Sequence, residues 1–273
     1  MIRCLYADLD GTLLGRGASL LHDGDGRPSL LGVRAVEACL RADIELVLMS
    51  GRRAAQVAED ARLLGQGCFI FEAGAAVVFE GEEHWLSSLR PGELSVHEQI
   101  TATGAPELLL SRYAGRLEYH EPWHSGREVS HLFRGNIDAS EAEEFLCSRG
   151  IDQLRIVDNG VVSRRSSALA ELDHVRAYHL LPLGCSKSAA VAWHMRARGY
   201  APAETLAVGD SREDLAVSAQ VGSFWLVANA VERDPTLRAQ IAGLDNVRVA
   251  EHGHGAGVYE AVVTTLAGDQ DAA

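Results

Sequence analysis

Residues 6–14 of the chain read YADLDGTLL, and the interpretation of the whole sequence begins from this stretch. An apolar run that starts at Ile2 precedes it, which suits a strand buried on both faces of a parallel sheet. The run ends in Asp8 and Asp10, followed by Gly11, and ligands of open α/β sheets gather at such strand ends. Two carboxylates this close repel each other unless a cation such as Mg²⁺ relieves them. Taken alone, the stretch is also compatible with a simple turn, because Asp and Gly favour turns.

Apolar runs and helical periodicities alternate after this stretch. The predicted elements are a loop over 15–29, a helix over 30–43, a strand over 44–49, a helix over 54–64, a strand over 68–71 and a hairpin over 75–86. The alternation resumes with a helix over 187–198 and strands over 205–208 and 224–228. This order is typical of a parallel sheet covered by helices, so the sequence predicts an α/β fold with a Rossmann-like parallel-sheet core.

The alternation is interrupted between residues 86 and 182. Strands are predicted over 116–120, 128–133 and 154–157, and helices over 94–102, 106–113 and 140–148. We therefore predict a catalytic core formed by 1–85 and 183–273 and an inserted α+β cap domain formed by 86–182. A short disordered tail is predicted from Gly268 to Ala273.

The composition excludes several classes of protein. A net charge of −13 argues against general nucleic-acid binding, which needs basic patches, but it is compatible with a small anionic substrate. The sequence contains neither an apolar run of about 20 residues, the length that spans a bilayer, nor a secretory signal, and its five scattered cysteines suit reduced thiols. These features predict a cytoplasmic protein without a membrane partner, and they leave its oligomeric state open between monomer and dimer. Gly253, Gly255 and Gly257 lack the context of a dinucleotide-binding loop.

Four polar features lie where the predicted core would bring them to one edge. They are the Asp8/Asp10 pair, Ser50 after the second strand, Lys187 at the start of a helix, and Asp210 with Asp214 after a later strand. If Asp210 opens a helix, it shares one face with Asp214. Carboxylates, a cation and a hydroxyl are the groups that phosphoryl transfer requires. Two of these residues have a simpler interpretation. Ser50 is also compatible with a helix N-cap, and Lys187 with a solvated surface lysine.

The motifs DLDGT at 8–12, SGR at 50–52, Lys187 and GDSRED at 209–214 resemble, in this order, the four motifs of the haloacid-dehalogenase-like hydrolase superfamily. The insertion between the second and third motifs resembles the Cof-like branch with a type-2 cap. That branch includes sugar phosphatases, phosphoglycolate phosphatases and mannosyl-3-phosphoglycerate phosphatases. The resemblance implies a Mg²⁺-dependent phosphatase that hydrolyses a small phosphomonoester through an aspartyl-phosphate.

The resemblance also implies a role for each motif residue. Asp8 attacks phosphorus, Asp10 protonates the leaving alcohol and then deprotonates water, Ser50 hydrogen-bonds the phosphoryl group, and Lys187 neutralises its charge. Mg²⁺ is held by Asp8, Asp210 and the backbone carbonyl of Asp10, with Asp214 acting directly or through water. The remaining candidate substrate residues are Thr12, Gly51, Arg52, Arg127 and Asn229. Of these, Thr12 is also compatible with a structural role, and Asn229 with a residue that terminates a strand. The guanidinium of Arg127, in the cap, is suited to bind a carboxylate or phosphate of the substrate.

The chain departs from the pattern of the branch at three positions. Ser211 and Glu213 stand where a glycine and an asparagine are usual, which puts the surroundings of the metal in doubt. Ser188 follows Lys187 in place of a glycine. A phosphomutase with the same nucleophile, or a ligand-binding module without catalysis, are the alternative functions that the sequence leaves open.

Overall fold

The computed structural model describes residues 1–162 and 166–271. In chain order the strands are β1 (Cys4–Asp8), β2 (Glu45–Met49), β3 (Phe69–Phe71), β4 (Ala76–Phe79), β5 (Glu82–Trp85), β6 (Leu117–Tyr119), β7 (His131–Gly135), β8 (Leu154–Val161), β9 (Arg176–Pro182), β10 (Thr205–Gly209), β11 (Ser223–Leu226) and β12 (Val247–Val249). The α-helices are α1 (Leu31–Arg41), α2 (Ala54–Leu63), α3 (Val96–Ala102), α4 (Ala105–Arg112), α5 (Ala139–Cys147), α6 (Lys187–Arg198), α7 (Arg212–Leu215), α8 (Ala228–Arg233), α9 (Leu237–Gln240) and α10 (His254–Asp271).

The strands form two separate sheets. The main sheet has the order β12-β11-β10-β1-β2-β3-β4-β5, and the small sheet has the order β6-β7-β9-β8. From β12 to β3 neighbouring strands are parallel, whereas β4 and β5 and all pairs of the small sheet are antiparallel. This mixed α/β architecture confirms the predicted fold class. The division into a core and an inserted cap stays a proposal.

Strand β1 occupies the centre of the main sheet because its side chains are apolar on both faces. All five of its residues are buried, and β10 and β2 pair with it on either side. Since these three strands are parallel, their carboxyl ends meet at one edge of the sheet. That edge therefore receives Asp8, Ser50 and Asp210 from three different parts of the chain.

Two glycines allow helices α1 and α10 to pack closely on one face of the main sheet. A β-carbon at Gly255 would lie 2.8 Å from the Cα atom of Gly32, which is closer than real side chains approach. Gly255 therefore serves helix packing. The long helix α10 continues to Asp271 through much of the stretch predicted as a disordered tail, and residues 272 and 273 lie outside the described part of the chain.

The small sheet differs from the prediction in one strand. Helices α3 to α5 and the strands β6, β7 and β8 overlap the predicted segments, but β9 lies in a stretch for which no element was predicted. The sequence of β9, RAYHLLP, does not alternate, because the strand lies between β7 and β8 and is buried along almost its whole length. Within the described ranges, no helix is long and apolar enough to cross a membrane.

Candidate active site

Lys187 is the only lysine in the sequence, and it is almost completely buried. Ser186 caps the N-terminus of α6 by accepting a hydrogen bond from the backbone N–H of Ala189, and this places Lys187 in the first turn. Its Nζ atom donates to Asp8 Oδ1 at 2.7 Å and to Asp214 Oδ1 at 2.6 Å. With an exposed fraction of 1%, Lys187 is not a solvated surface residue. It joins the end of β1 to the loop after β10.

The loop after β10 is organised by Ser211, one of the residues that depart from the pattern of the Cof-like branch. Ser211, and not Asp210, is the N-cap of α7, because its hydroxyl accepts from the backbone N–H of Asp214. In return Asp214 Oδ2 accepts from the Ser211 hydroxyl at 2.6 Å and from the backbone N–H groups of Ser211 and Asp210 at 3.0 and 3.2 Å. The condition that Asp210 opens the helix is therefore not met. The carboxylate of Asp214 folds back over the loop and is fixed on both oxygens.

The second departure is also accommodated. Glu213 accepts a hydrogen bond from the backbone N–H of Lys187 at 3.1 Å, and its other oxygen lies 3.8 Å from the guanidinium of Arg155. Burial raises the pKa of Glu213, while Arg155 and the Lys187 N–H oppose that shift. Ser188 likewise has a partner, since its hydroxyl accepts from the Gln220 side chain at 3.2 Å.

Three carboxylates converge around Lys187. One oxygen each of Asp8, Asp210 and Asp214 lies within 4.8 Å of the others. Burial raises the pKa of Asp8 to about 7, with Lys187 opposing and Asp214 adding to the shift. Burial and the charges of Asp8 and Asp214 likewise raise the pKa of Asp210 well above its ordinary value. The Lys187 ammonium and the exposed Arg233 guanidinium, 3.5 Å from Asp210, together carry less charge than three carboxylates, and hard oxygen donors at this spacing suit a divalent cation such as Mg²⁺.

Gly11 lets the backbone of the first motif approach this cluster. It has a φ of +90°, and a β-carbon there would overlap Asp210 Oδ2. Its carbonyl oxygen accepts from the Asn229 side-chain amide at 2.8 Å, and Asn229 Oδ1 accepts from the backbone N–H of His254. Asn229 thus braces the loop against α10, and both ends of its amide are engaged in that role. Next to Gly11, the buried hydroxyl of Thr12 has no hydrogen-bond partner among the described residues.

The carboxylate of Asp10 is held apart from the acidic cluster. Arg52 donates to both of its oxygens at 2.6 Å and also binds Asp60 at 2.7 Å. The side chain of Asp10 is 54% exposed. Arg52 was predicted to contact the substrate, but in this structure its guanidinium binds Asp10 and orients it.

Ser50 and Gly51 are held from the opposite side by residues near the small sheet. Ser50 is buried at the end of β2, and its hydroxyl accepts from the backbone N–H of Arg52 at 3.1 Å. Arg127, the candidate substrate grip, is buried instead, and its Nη1 donates to the Gly51 carbonyl at 3.0 Å and lies 3.5 Å from Glu72 Oε2. Burial lowers the pKa of Arg127, and Glu72 opposes this. This guanidinium links the small sheet to the loop after Ser50.

The structure also shows functional candidates that the sequence analysis missed. Glu72 is fully buried after β3 and accepts hydrogen bonds from the backbone N–H groups of Glu128, Val129 and Ser130. His179, on the unpredicted strand β9, and Asn159 face Gly51 from the small sheet. The only available signal was the adjacency of Glu72 to a buried strand, because these contacts join residues that are far apart in sequence.

The chain is similar to known phosphatases along almost its whole length. A phosphoglycolate phosphatase from Methanoculleus marisnigri is 28% identical over 273 residues, which covers 96% of this chain and 96% of that protein. The solved sucrose-phosphatase from Synechocystis has a TM-score of 0.63 at 18% identity and covers 97% of this chain and 98% of that one. A phosphatase of the haloalkanoate (HAD) enzyme superfamily from Bacteroides thetaiotaomicron has a TM-score of 0.63 at 16% identity, with 97% and 95% covered. No protein-family model matches the chain.

Proposed function

We propose that the chain is a Mg²⁺-dependent phosphatase of a small phosphomonoester, of the haloacid-dehalogenase-like type and its Cof-like branch. The observation that carries this proposal is the buried contact of its only lysine with Asp8 and Asp214 beside Asp210. A nucleophilic carboxylate, a fixed cation and a set of oxygen ligands are sufficient for phosphoryl transfer, since positioning and charge stabilisation supply most of the catalysis.

Asp8 is the nucleophile in this proposal. Lys187 fixes its Oδ1 atom, so we assign the attack on phosphorus to Oδ2. The new bond joins Asp8 to phosphorus while the bond from phosphorus to the leaving oxygen breaks, and an aspartyl-phosphate results. In the aspartyl-phosphate, Lys187 then contacts both Asp214 and the transferred phosphoryl group. The hydroxyl groups of Ser50 and Thr12 are assigned as hydrogen-bond donors to that phosphoryl group. The unpartnered hydroxyl of Thr12 supports this assignment, because a bound phosphoryl oxygen would satisfy it.

Asp10 is the acid and then the base. It transfers a proton to the leaving alkoxide, and in the second step it takes a proton from the water that attacks phosphorus. The bond between phosphorus and Asp8 then breaks, inorganic phosphate leaves and the carboxylate of Asp8 is restored. Arg52 donates to both oxygens of Asp10 and so determines where this group is presented; one of the two contacts must open before that oxygen can carry the proton for the leaving alkoxide.

Asp8 and Asp210 would hold Mg²⁺, together with the backbone carbonyl of Asp10, and Asp214 would support the ion directly or through water. When bound, the ion would offset the negative charge of the carboxylates and of the incoming phosphate. The fit rests on the chemistry of the donors, which are buried carboxylates grouped within 4.8 Å. The surplus negative charge of the cluster supports the same assignment.

The proposal is tested with p-nitrophenyl phosphate and a panel of sugar, polyol and carboxylate phosphates, with release of inorganic phosphate as the readout. Wild-type protein should release phosphate with Mg²⁺ and not with EDTA, and Asp8→Asn should abolish release. Asp25→Asn, on an exposed loop, is the matched control and should keep wild-type activity. Full turnover by Asp8→Asn would refute the nucleophile. An isomerised sugar phosphate in place of free phosphate would identify a phosphomutase.

The two-step mechanism has its own test. Asp10→Asn should still form the aspartyl-phosphate from p-nitrophenyl phosphate, because p-nitrophenolate is a good leaving group that needs little protonation. Hydrolysis of the intermediate should then stall, and a hydroxylamine-sensitive phosphoenzyme should accumulate. Steady turnover by this variant without accumulation would argue against Asp10 as the base.

A further inference from the structure

We propose that His179 is a substrate-positioning residue that, with Asn159, binds a hydroxyl group in the leaving part of the substrate. This inference rests on the proposed phosphatase function and names the substrate class, which is a hydroxylated phosphomonoester such as a polyol or sugar phosphate. No motif of the sequence contains either residue. Both reach the site from the small sheet.

Strand β9 directs His179 toward the catalytic edge. Side chains alternate along a strand, so His179 lies on the face opposite to Tyr178 and Leu180, and there its Nδ1 atom is 3.1 Å from the Ser130 hydroxyl. A β-carbon at Gly51 would lie 2.9 Å from His179 Nε2. This nitrogen is therefore packed against the residue that follows Ser50.

The hydrogen bonds around Ser130 determine which ring nitrogen carries the proton. The Ser130 hydroxyl donates its single hydrogen to Glu72 Oε2 at 2.7 Å, because a carboxylate only accepts. It accepts from Arg127 Nη1 at 3.0 Å. His179 Nδ1 lies 3.1 Å from the same hydroxyl oxygen, so Nδ1 must be the donor in that contact.

The ring of His179 is neutral as well as oriented. Burial lowers its pKa well below the ordinary value, and the positive charges of Arg127 and Lys187 act in the same direction. A neutral imidazole with its proton on Nδ1 has a bare lone pair on Nε2. The nitrogen that faces Gly51 is therefore a hydrogen-bond acceptor.

Asn159 places a donor beside this acceptor. It lies in the irregular part of β8, where the pairing register shifts between Asp158 and Val161, and a β-carbon at Gly51 would lie 3.0 Å from its Nδ2 atom. A hydroxyl group both donates and accepts, so it can satisfy both neighbours. A carboxylate only accepts, and it would face the lone pair of His179 Nε2. The pair therefore favours a hydroxylated leaving group over one that ends in a carboxylate.

The test compares kcat/KM for glycerol 3-phosphate, phosphoglycolate and p-nitrophenyl phosphate. Wild type should prefer glycerol 3-phosphate over phosphoglycolate. His179→Phe, which keeps a ring of similar size, should reduce kcat/KM for glycerol 3-phosphate by about ten- to a hundredfold and change that for p-nitrophenyl phosphate by less than about threefold. His131→Phe, at another buried histidine of the small sheet, is the matched control and should leave the ratio of the two values unchanged.

Three results would overturn the inference alone. The hydroxyl-binding role is excluded if wild type hydrolyses p-nitrophenyl phosphate but prefers phosphoglycolate to glycerol 3-phosphate. It is also excluded if His179→Phe leaves the ratio of kcat/KM for glycerol 3-phosphate to that for p-nitrophenyl phosphate unchanged. Both results keep the phosphatase. A long-range ¹H–¹⁵N spectrum of wild type tests the tautomer without any variant, and a proton on Nε2 of His179 would exclude the acceptor. Failure of wild type to hydrolyse any of the three esters would instead refute the proposed function, and the inference with it.

Discussion

Replacing Lys187 with methionine should destabilise the protein strongly in the absence of metal. Methionine has a similar length and no charge, so it leaves Asp8 and Asp214 without the ammonium that lies 2.7 and 2.6 Å from their oxygens. Removing one partner of a buried ion pair costs about 3–5 kcal/mol of unfolding free energy. Domains of ordinary stability have about 5–15 kcal/mol in total, so the loss is a large fraction.

A second estimate gives the same magnitude. The orphaned carboxylates can avoid burial of their charge by taking up a proton. At pH 7, protonating one carboxyl group whose unfolded pKa is about 3.9 costs about 4 kcal/mol. Proton uptake therefore sets a ceiling near this value for the loss through Asp214, whereas Asp8, whose pKa burial already raises to about 7, adds little to it.

Urea unfolding at pH 7 with EDTA, followed through the fluorescence of the buried Trp225, measures the loss. The matched control is Arg62→Met, because the side chains of Arg62 and its partner Glu59 are 73% and 70% exposed, and an exposed pair contributes at most about 1 kcal/mol. The double variant Lys187→Met/Asp214→Asn should lose less than the sum of the two single losses, since each removes the partner of the other. Losses that add to within about 0.5 kcal/mol would show that the two residues do not interact, and would refute this reading of the site.

Three other predictions concern the packing, the pH dependence and the phosphate pocket. Gly255→Ala should lower the free energy of unfolding in urea by about 1–3 kcal/mol, because the new β-carbon would overlap Gly32. Gly268→Ala is the control in the same helix, and since open space surrounds that position it should be neutral or stabilising. Equal effects of the two variants would contradict the close packing. Burial lowers the pKa of His131 and His120 to about 4, so below about pH 6.5 the unfolded chain binds protons that the native state does not, and stability should fall toward pH 4 by up to about 1.4 kcal/mol per pH unit for each histidine. His131→Gln should reduce that slope in urea unfolding, and a slope equal to that of wild type would exclude His131 as a cause. Thr12→Val should raise the unfolding free energy by about 1 kcal/mol because it removes an unpartnered buried hydroxyl, yet phosphate release should fall; unchanged activity would exclude this hydroxyl as a phosphate ligand.

The order and composition of the segments are sufficient to predict the fold class and the convergence of the acidic motifs. A buried apolar run that ends in Asp8, and two more that end in Ser50 and Asp210, place these side chains at one edge, because parallel strands have a common direction. This is local information, since it needs only the composition of each strand and the residue that follows it. The position of Lys187 at the start of a helix was readable in the same way.

Which polar groups are hydrogen-bond partners, in contrast, depends on contacts between segments that are distant in sequence. Arg52 binds Asp10, Arg127 binds Glu72 and Gly51, and Ser211 fixes Asp214, and none of these pairings follows from spacing alone except the last. His179 lies on a strand whose uninterrupted burial hides the usual alternation, and its contacts come from segments far away in sequence. Side-chain hydrogen bonds depend on which surfaces the fold brings face to face, and a one-dimensional pattern does not contain that information.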